Sequence, residues 1–420
     1  MIARRRLAGL VTALVLAGVV QPGFLVSAQA APGPASAPEW WFDSWHVPSL
    51  WSTGADGRGI TVAVVDTGVQ ASVPELKGKV LPGADFIGNG SDGRVDYDSD
   101  DFSHGTAMAS IIVASEGYGN IEGLAPAAKI LPLSVPLRGV IRKGTPTENA
   151  TSAAITYAAD HGARIISMSL GGVRDERDGP DPCPSSVQKA VLHALTQGAL
   201  VVAASGNSGD GGSPVEEPGV CLGVVSVGSV DRQLTVSPFS SRHPYLTVTA
   251  PGDSIPTLSR DSAYIGEGTS QATAMTSAAL AMIWSKFPSE SNRQVLTRLL
   301  STVTDRGPKG RDPAYGLGVI NPAAAIAAHP GAAAANPVFD GVQPLLNQSA
   351  SVSKRIKAVS PAGHQNAPTG AFQVASAPSM VGVGFYALLG LAGILGVLAV
   401  LLLITAARRR TAAPVLYPLR

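Results

Sequence analysis

Short apolar runs alternate with segments of helical periodicity through the middle of the chain. Five runs rich in Val, Ile, Leu and Ala predict strands, at 60–65, 129–135, 163–169, 199–204 and 224–229. Four segments with small and apolar residues predict helices, at 104–114, 149–161, 185–197 and 270–286. Apolar runs without polar alternation are typical of strands buried on both faces. The pattern therefore predicts an α/β fold of three layers, a mainly parallel sheet covered by helices on both faces.

The N-terminus has the layout of a secretory signal peptide. Arginines at 4–6 precede an apolar stretch at 7–20, and small residues follow at Ala28 and Ala30. A charged start, a short apolar core and an A-x-A site are the three parts of such a signal. We therefore predict a signal peptide over residues 1–30, the alternative being a membrane anchor that is not cleaved.

A second apolar segment, at 381–407, contains no charged residue. As a helix with a rise of about 1.5 Å per residue it would span roughly 40 Å, enough to cross a hydrocarbon core of ~30 Å. Arginines follow at 408–410, and the positive-inside tendency then predicts a cytoplasmic tail over 408–420. The alternative, a buried core helix, fits neither the length of the segment nor the arginine cluster. We predict one C-terminal transmembrane helix, with the mature chain that precedes it outside the cytoplasm.

Three further regions follow from composition. Residues 59–329 are long enough to bury one large core. Residues 31–58 form an N-terminal extension that contains four tryptophans, and residues 330–380 are rich in Ala, Pro and Ser. A segment of the last composition can bury little apolar area, so we interpret 330–380 as a linker. The alternative is that part of this segment packs along the domain.

Charge and cysteine content exclude one class of partner and suggest one cross-link. The formal net charge of +1 leaves no basic footprint for a nucleic acid. Cys183 and Cys221 are the two cysteines. In an exported chain an even pair is expected to form one disulfide, and two buried free thiols are the alternative.

Three residues have the types and positions expected of the catalytic residues of a hydrolase that uses a nucleophile. Asp66 ends the first strand, His104 opens a helix, and Ser270 opens another helix among small residues. A serine nucleophile needs a base to take its proton, and the base needs a carboxylate to fix its tautomer. The end of a parallel strand is also where open α/β sheets place their sites. We predict Ser270 as nucleophile, His104 as general base and then acid, and Asp66 as the residue that orients His104.

Each of these residues also has an ordinary structural reading. An isolated aspartate before Thr67 and Gly68 fits an Asx turn, and an isolated serine at a helix start fits an N-cap. The combination of all three in one chain, with the small residues around Ser270, favours catalysis.

An acidic loop precedes His104. Its carboxylates are Asp92, Asp96, Asp98, Asp100 and Asp101. Several carboxylates suit a calcium ion, but this spacing matches no EF-hand pattern. We interpret the cluster as a solvated loop, with calcium as the alternative, and predict no metal and no other cofactor.

Six motifs together resemble those of the subtilisin-like serine proteases, the subtilases. The order Asp, His, Ser along the chain is that of subtilisin. The motifs are VAVVDTG at 62–68, HGTAMA at 104–109, SMSLGG at 167–172, AASGN at 203–207, GTSQATA at 268–274 and YGLGVINP at 315–322. Within this family the two chain ends are most similar to the mycosins, the membrane-anchored subtilases of actinobacterial type VII secretion.

The resemblance implies further site residues. It implies that Asn207 is an oxyanion donor together with the Ser270 N–H, although a lone asparagine in this setting reads as a turn residue. It implies a substrate-binding strand formed by Ser167, Met168, Ser169, Leu170 and Gly171. It also implies a bridge between Cys183 and Cys221, since mycosins have one in a similar place.

The function implied by the resemblance is that of a membrane-anchored, extracytoplasmic serine endopeptidase. It would cleave protein or peptide substrates through an acyl-enzyme intermediate, in association with type VII secretion membrane components. Two alternatives stay open. One is a stabilising subunit of a secretion complex in which catalysis is secondary, and the other is a general cell-surface subtilase.

Overall fold

The computed structural model describes residues 39–98, 102–115, 117, 121–136, 146–173, 183–331 and 334–359. The chain divides into two compact units, residues 1–355 and 356–420. Of the second unit, only the last four residues of a helix are described. The predicted signal peptide, transmembrane helix and cytoplasmic tail lie outside the described residues. Within the described residues no helix is both long enough and apolar enough to span a membrane.

A parallel sheet of seven strands forms the centre of the first unit. The strands of this sheet and of two smaller sheets are, in chain order, β1 (Thr61–Asp66), β2 (Ala84–Asp85), β3 (Lys129–Ser134), β4 (Ile165–Met168), β5 (Gly172–Val173), β6 (Leu200–Ala204), β7 (Glu216–Glu217), β8 (Val224–Val230), β9 (Val248–Pro251), β10 (Ile255–Leu258) and β11 (Ala263–Gly266). The large sheet has the order β2-β3-β1-β4-β6-β8-β9, and every neighbouring pair is parallel. Two small antiparallel pairs, β5–β7 and β10–β11, lie outside it.

Helices pack on the sheet, and further helices precede its first strand and follow its last strand along the chain. They are α1 (Trp40–Trp45), α2 (Val47–Ser52), α3 (His104–Val113), α4 (Pro146–Asp160), α5 (Ser185–Thr196), α6 (Thr269–Lys286), α7 (Asn292–Leu300), α8 (Pro322–Ala327) and α9 (Pro337–Val359). Consecutive residues of β6 and β8 are all buried, so both faces of the sheet are covered. Helices α3 and α6 pack together, and α4 packs with α5.

The predicted α/β fold with a mainly parallel sheet is confirmed. Each of the five predicted strands and four predicted helices is present, with ends that differ by a few residues. The sequence analysis missed the edge strands β2 and β9, the two small antiparallel pairs and the outer helices. β2 is two residues long and β9 ends at a proline, so neither has a run long enough to show in the pattern.

The N-terminal extension packs against the first unit through its tryptophans. Trp40, Trp41 and Trp45 on α1 are buried and belong to the hydrophobic core. Trp51 on α2 donates a hydrogen bond of 2.9 Å from its indole N–H to the carbonyl oxygen of Leu124. The described part of the extension is therefore an integral layer of the first unit.

The first part of the predicted linker, 330–380, follows the alternative that packs along the domain, because α9 begins at Pro337 and buries Val338, Phe339 and Val342. Three apolar residues within the first two turns were too few to reveal a docking face in an Ala- and Pro-rich composition. The rest of the predicted linker, from 360 on, lies outside the described residues.

Three polar contacts fix the start of α9 on α7. The amide of Asn336 donates to the carbonyl oxygen of Arg293 and to Thr297 Oγ1. Arg293 in turn forms an ion pair of 2.7 Å with Asp340 on α9. These contacts place the Phe339 ring beside the Arg293 guanidinium, 5.7 Å from its centroid.

Replacing Phe339 with alanine tests this docking. We expect the free energy of unfolding to fall by about 3 kcal/mol, because a buried aromatic ring is removed and a cavity is left. Gln343→Ala, an exposed position on the same helix, is the matched control. Urea unfolding of the full chain measures both, and equal midpoints for the two variants would contradict the docked helix.

Candidate active site

Asp66 and His104 form a buried hydrogen-bonded pair at the carboxyl end of β1. The Nδ1 atom of His104 lies 2.8 Å from Asp66 Oδ1 and 3.0 Å from Oδ2. Asp66 has no solvent-accessible surface, whereas the His104 side chain is 22% exposed. Because a carboxylate only accepts, Nδ1 carries the donated proton and Nε2 is left as the proton acceptor of the ring.

The charges around His104 decide the direction of its pKa shift. Burial by itself would lower the pKa of the imidazole. The carboxylates of Asp66, Asp98 and Asp96 outweigh burial, and the net effect raises the pKa of His104 above its ordinary value of 6.5. The site therefore stabilises the imidazolium that forms when a histidine base takes a proton.

Asp96 connects the two segments that carry this pair. Its carboxylate accepts hydrogen bonds from the hydroxyl of Thr67, at 2.7 Å, and from the hydroxyl of Thr106, at 2.6 Å. Thr67 follows Asp66, and its Oγ1 accepts the N–H of Gly105, which follows His104. Burial raises the pKa of Asp96, and its hydrogen bonds oppose that effect.

The solvated-loop interpretation of the acidic segment is wrong for Asp96, which is 1% exposed. Asp98 also has a structural contact, since its Oδ2 accepts the backbone N–H of His104 at 3.1 Å. Asp92 forms an exposed ion pair with Arg94, as a surface carboxylate would. Asp100 and Asp101 lie outside the described residues. In the described parts of the chain, no group of three or more His, Cys, Asp or Glu side chains is arranged to hold a metal ion.

Ser270 lies in the first turn of α6, in the same cleft as His104. His104, Asn207 and Ser270 are among the residues that line this cleft, which has a volume of about 320 Å³. The hydroxyl of Ser270 donates to the carbonyl oxygen of Ser169 at 3.0 Å, and Ser169 Oγ donates back to the Ser270 carbonyl at 2.9 Å. Both Ser270 and His104 are described, and no hydrogen bond joins their side chains in this structure.

Asn207 is held by the start of α6. Its Oδ1 accepts the backbone N–H of Thr269 at 2.9 Å and the Thr269 hydroxyl at 2.8 Å. Because the oxygen is occupied by these donors, the amide orientation is fixed and Nδ2 is left to donate. Asn207 and Ser270 thereby lie on the same wall of the cleft.

The predicted substrate-binding strand divides into two parts. Ser169, Leu170 and Gly171 line the cleft. Ser167 and Met168 do not, because they belong to β4, whose two edges are paired with β1 and β6. Ser167 pairs with Val64 of β1 and Val202 of β6, and Met168 pairs with Ala203 of β6, so a role for these two residues in substrate binding stays a prediction.

The sequence analysis missed one ionisable residue of the cleft. Glu216, on the short strand β7, lines the same space as Ser270 and Gly206. Nothing in its neighbourhood resembled a catalytic motif, and only the antiparallel pairing of β7 with β5 brings it to the site. The sulfur atoms of Cys183 and Cys221 lie at bonding distance in the structure, so the two cysteines are positioned as predicted.

Known proteins are similar to this chain in both sequence and fold. The model of the Subtilase family matches residues 57–318, more than half of the chain. The chain belongs to the subtilase family. Subtilisin DY of Bacillus licheniformis is 34% identical over 275 residues, which cover 65% of this chain and 92% of that protein. This chain is therefore a subtilisin-like serine endopeptidase.

Solved mycosin structures share the subtilase fold of this chain. MycP1 from Mycobacterium smegmatis has a TM-score of 0.59 and 25% identity, and covers 70% of this chain and 85% of its own. The MycP3 protease from the type VII (ESX-3) secretion system has a TM-score of 0.59 and 29% identity, with coverages of 70% and 89%. The resemblance to mycosins predicted from the sequence is thus confirmed.

The raised pKa of His104 predicts the pH dependence of this subtilase. A protonated imidazole cannot act as a base, so the acid limb of kcat/KM is expected to have its midpoint above pH 6.5. In Asp66→Asn the charge that raises the pKa of His104 most is lost, so the midpoint moves to lower pH. Turnover also falls by a factor on the order of 10³–10⁴, since the tautomer is no longer fixed.

Asp160→Asn is the matched control for this measurement, because Asp160 pairs with His193 on the surface. We expect it to leave the pH profile unchanged. The measurement is the pH profile of kcat/KM for a peptide substrate. An acid limb that does not move in Asp66→Asn would contradict the pairing of Asp66 with His104.

Proposed function

We propose that Asp66, His104 and Ser270 are the catalytic triad of this endopeptidase. The observation that carries the proposal is the hydrogen bond from His104 Nδ1 to the buried Asp66, in the cleft that Ser270 also lines. An imidazole held in this tautomer presents Nε2 as a base. A serine nucleophile beside such a base is the arrangement that acyl transfer requires.

The first step needs one side-chain rotation. Ser270 Oγ leaves the Ser169 carbonyl and turns to His104 Nε2, which takes its proton as Oγ bonds to the scissile carbonyl carbon. The oxygen that becomes negative accepts hydrogen bonds from Asn207 Nδ2 and from the Ser270 N–H. This N–H is free to do so because the first N–H groups of a helix have no partner within the helix.

The second half returns the proton and releases both products. His104 Nε2 protonates the leaving amine as the peptide bond breaks, which leaves an acyl ester on Ser270. Water then attacks the ester with His104 again acting as base, and the acid product departs as Ser270 regains its proton. The protons balance over the cycle, so the site needs no other co-reactant than water.

The substrate binds as an extended chain along Ser169, Leu170 and Gly171. These residues follow the end of β4, and Gly171 leaves room for close approach of another backbone. Strand addition to such a segment recognises a peptide rather than a small ester. We further propose that the cleft is stabilised by a disulfide between Cys183 and Cys221, which ties the start of α5 to the loop before β8.

We propose in addition that the enzyme is exported by residues 1–30, anchored by residues 381–407, and associated with type VII secretion membrane components. The arginine clusters that flank both apolar segments support export and anchoring. The similarity to MycP3, a protease from the type VII (ESX-3) secretion system, supports the association.

A second candidate function is that of a stabilising subunit of such a complex. It is favoured by the similarity to a serine protease MycP1 that is an essential component of the type VII (ESX-1) secretion system. That structure has a TM-score of 0.60 and 28% identity to this chain.

Ser270→Ala tests the triad. We expect peptide hydrolysis to fall by about 10⁶-fold, to the rate left by binding and the oxyanion donors. Ser277→Ala is the matched control, since Ser277 lies on the same helix and bonds only to the Ser167 hydroxyl. Hydrolysis of a fluorogenic peptide measures both, and activity that survives in Ser270→Ala would refute the assignment.

Removal of residues 381–420 tests the anchor. The full chain is expected in the membrane fraction, resistant to carbonate and released by detergent, because a span of this length partitions into the hydrocarbon core. The shortened chain is expected in the soluble fraction with its peptidase activity intact. Finding the full chain soluble would contradict the anchor and leave the protease assignment unaffected.

A further inference from the structure

We propose that Glu216 selects peptides with lysine or arginine as the residue whose carbonyl is attacked. This inference rests on the proposed triad, because the position of Ser270 defines which residue of the substrate meets Glu216. It adds a substrate class to the protease assignment, and a failure of the specificity can be distinguished from a failure of the catalytic site.

The Glu216 carboxylate lies between two segments of the cleft wall. A methyl group built at Gly171 would come within 2.6 Å of Glu216 Oε2, and one built at Gly206 would overlap the same carboxylate. Gly171 belongs to the segment that binds the substrate backbone, and Gly206 directly precedes Asn207. The absence of side chains at both positions leaves room for the carboxylate, and Glu216 lines the same cleft as Ser270.

The proposed mechanism places a substrate side chain in this space. The attacked carbonyl carbon is fixed by Ser270 Oγ, its oxygen by Asn207, and the preceding backbone by Ser169 to Gly171. With these three points fixed, the side chain of the acyl residue enters between the segments of Gly171 and Gly206. That is where the Glu216 carboxylate lies.

The carboxylate has no partner of its own among the residues that the structure describes. Glu216 is 7% exposed, yet no hydrogen bond or ion pair to its side-chain oxygens is formed there. Its backbone is fixed, since its N–H donates to the Tyr245 hydroxyl at 3.2 Å and β7 pairs with β5. A carboxylate that is held in place, buried and unpaired has a high free energy, which a bound cation would lower.

None of the neighbouring ionisable groups that the structure describes pairs with the Glu216 carboxylate. They are His104, which lines the same cleft, Tyr245, whose hydroxyl accepts the Glu216 N–H, and Glu217, which is next to Glu216 on β7. Burial raises the pKa of Tyr245 to about 12, so this phenol is neutral near pH 7. Burial also raises the pKa of Glu216 to about 7, which places its ionisation in the range where the enzyme is expected to work.

A series of peptides that differ only in the acyl residue tests the proposal with the full chain. We expect kcat/KM for arginine and lysine to exceed that for glutamine and leucine by at least tenfold, because only the cations pair with the buried carboxylate. In Glu216→Gln the arginine and lysine values are expected to drop to those of glutamine, while the leucine value changes by less than threefold. Glu267 is an exposed acidic residue just before α6, and Glu267→Gln is expected to change none of these ratios.

The pH dependence gives a second readout. The ratio of kcat/KM for arginine over leucine cancels the titration of His104 and is expected to fall as the pH drops through about 7. In Glu216→Gln the ratio should not vary with pH. Benzamidine, a small amidinium cation, should inhibit the parent enzyme competitively and Glu216→Gln at least tenfold more weakly.

These measurements distinguish a failure of the proposed role of Glu216 from a failure of the proposed triad. Equal rates for leucine and arginine peptides in the parent enzyme, or a ratio unchanged by Glu216→Gln, would overturn the role of Glu216 and leave the triad in place. Hydrolysis of no peptide at all would overturn the proposed function and this inference with it.

Discussion

The hydrogen bond between the buried Asp66 and His104 is the interaction on which the rest of the site depends. A carboxylate without any solvent contact is costly unless it is paired, and His104 supplies that pairing together with the N–H of Thr67. The pair also fixes the tautomer that leaves Nε2 as a base. The burial that makes the bond strong would lower the pKa of His104, and the surrounding carboxylates have to outweigh it.

The architecture of the sheet makes this pair possible. β1 ends at Asp66 in the middle of a parallel sheet, and α3 begins at His104 with Gly105 packed against the Asp66 Cβ and the Gly68 carbonyl. Helix α6 is buried over almost its whole length, and its small residues let it pack close to the strands of the sheet. Ser270 can therefore lie at the start of a helix and still reach the same cleft.

Much of this arrangement was predictable, because the signals were local. The apolar run that ends at Asp66 and the small-residue segments at His104 and Ser270 each carry their own periodicity. Asp96, Glu216 and α9 could not be predicted in the same way. Asp96 depends on contacts with Thr67 and Thr106, and Glu216 reaches the cleft only through a strand of two residues, so in both cases the signal exists in the tertiary structure alone. Ser167 and Met168 belong to the same motif but are part of β4, and their strand pairing is likewise visible only in the tertiary structure.

The most direct test of the triad is labelling of the full chain with a fluorophosphonate, followed by mass spectrometric identification of the modified residue. Such a probe reacts with a serine only when a neighbouring base has activated it. The proposed triad predicts one adduct, on Ser270, which is lost in His104→Ala even though the serine is still present. An adduct on another serine, or equal labelling of Ser270 in His104→Ala, would contradict the assignment of Asp66, His104 and Ser270 as one catalytic unit.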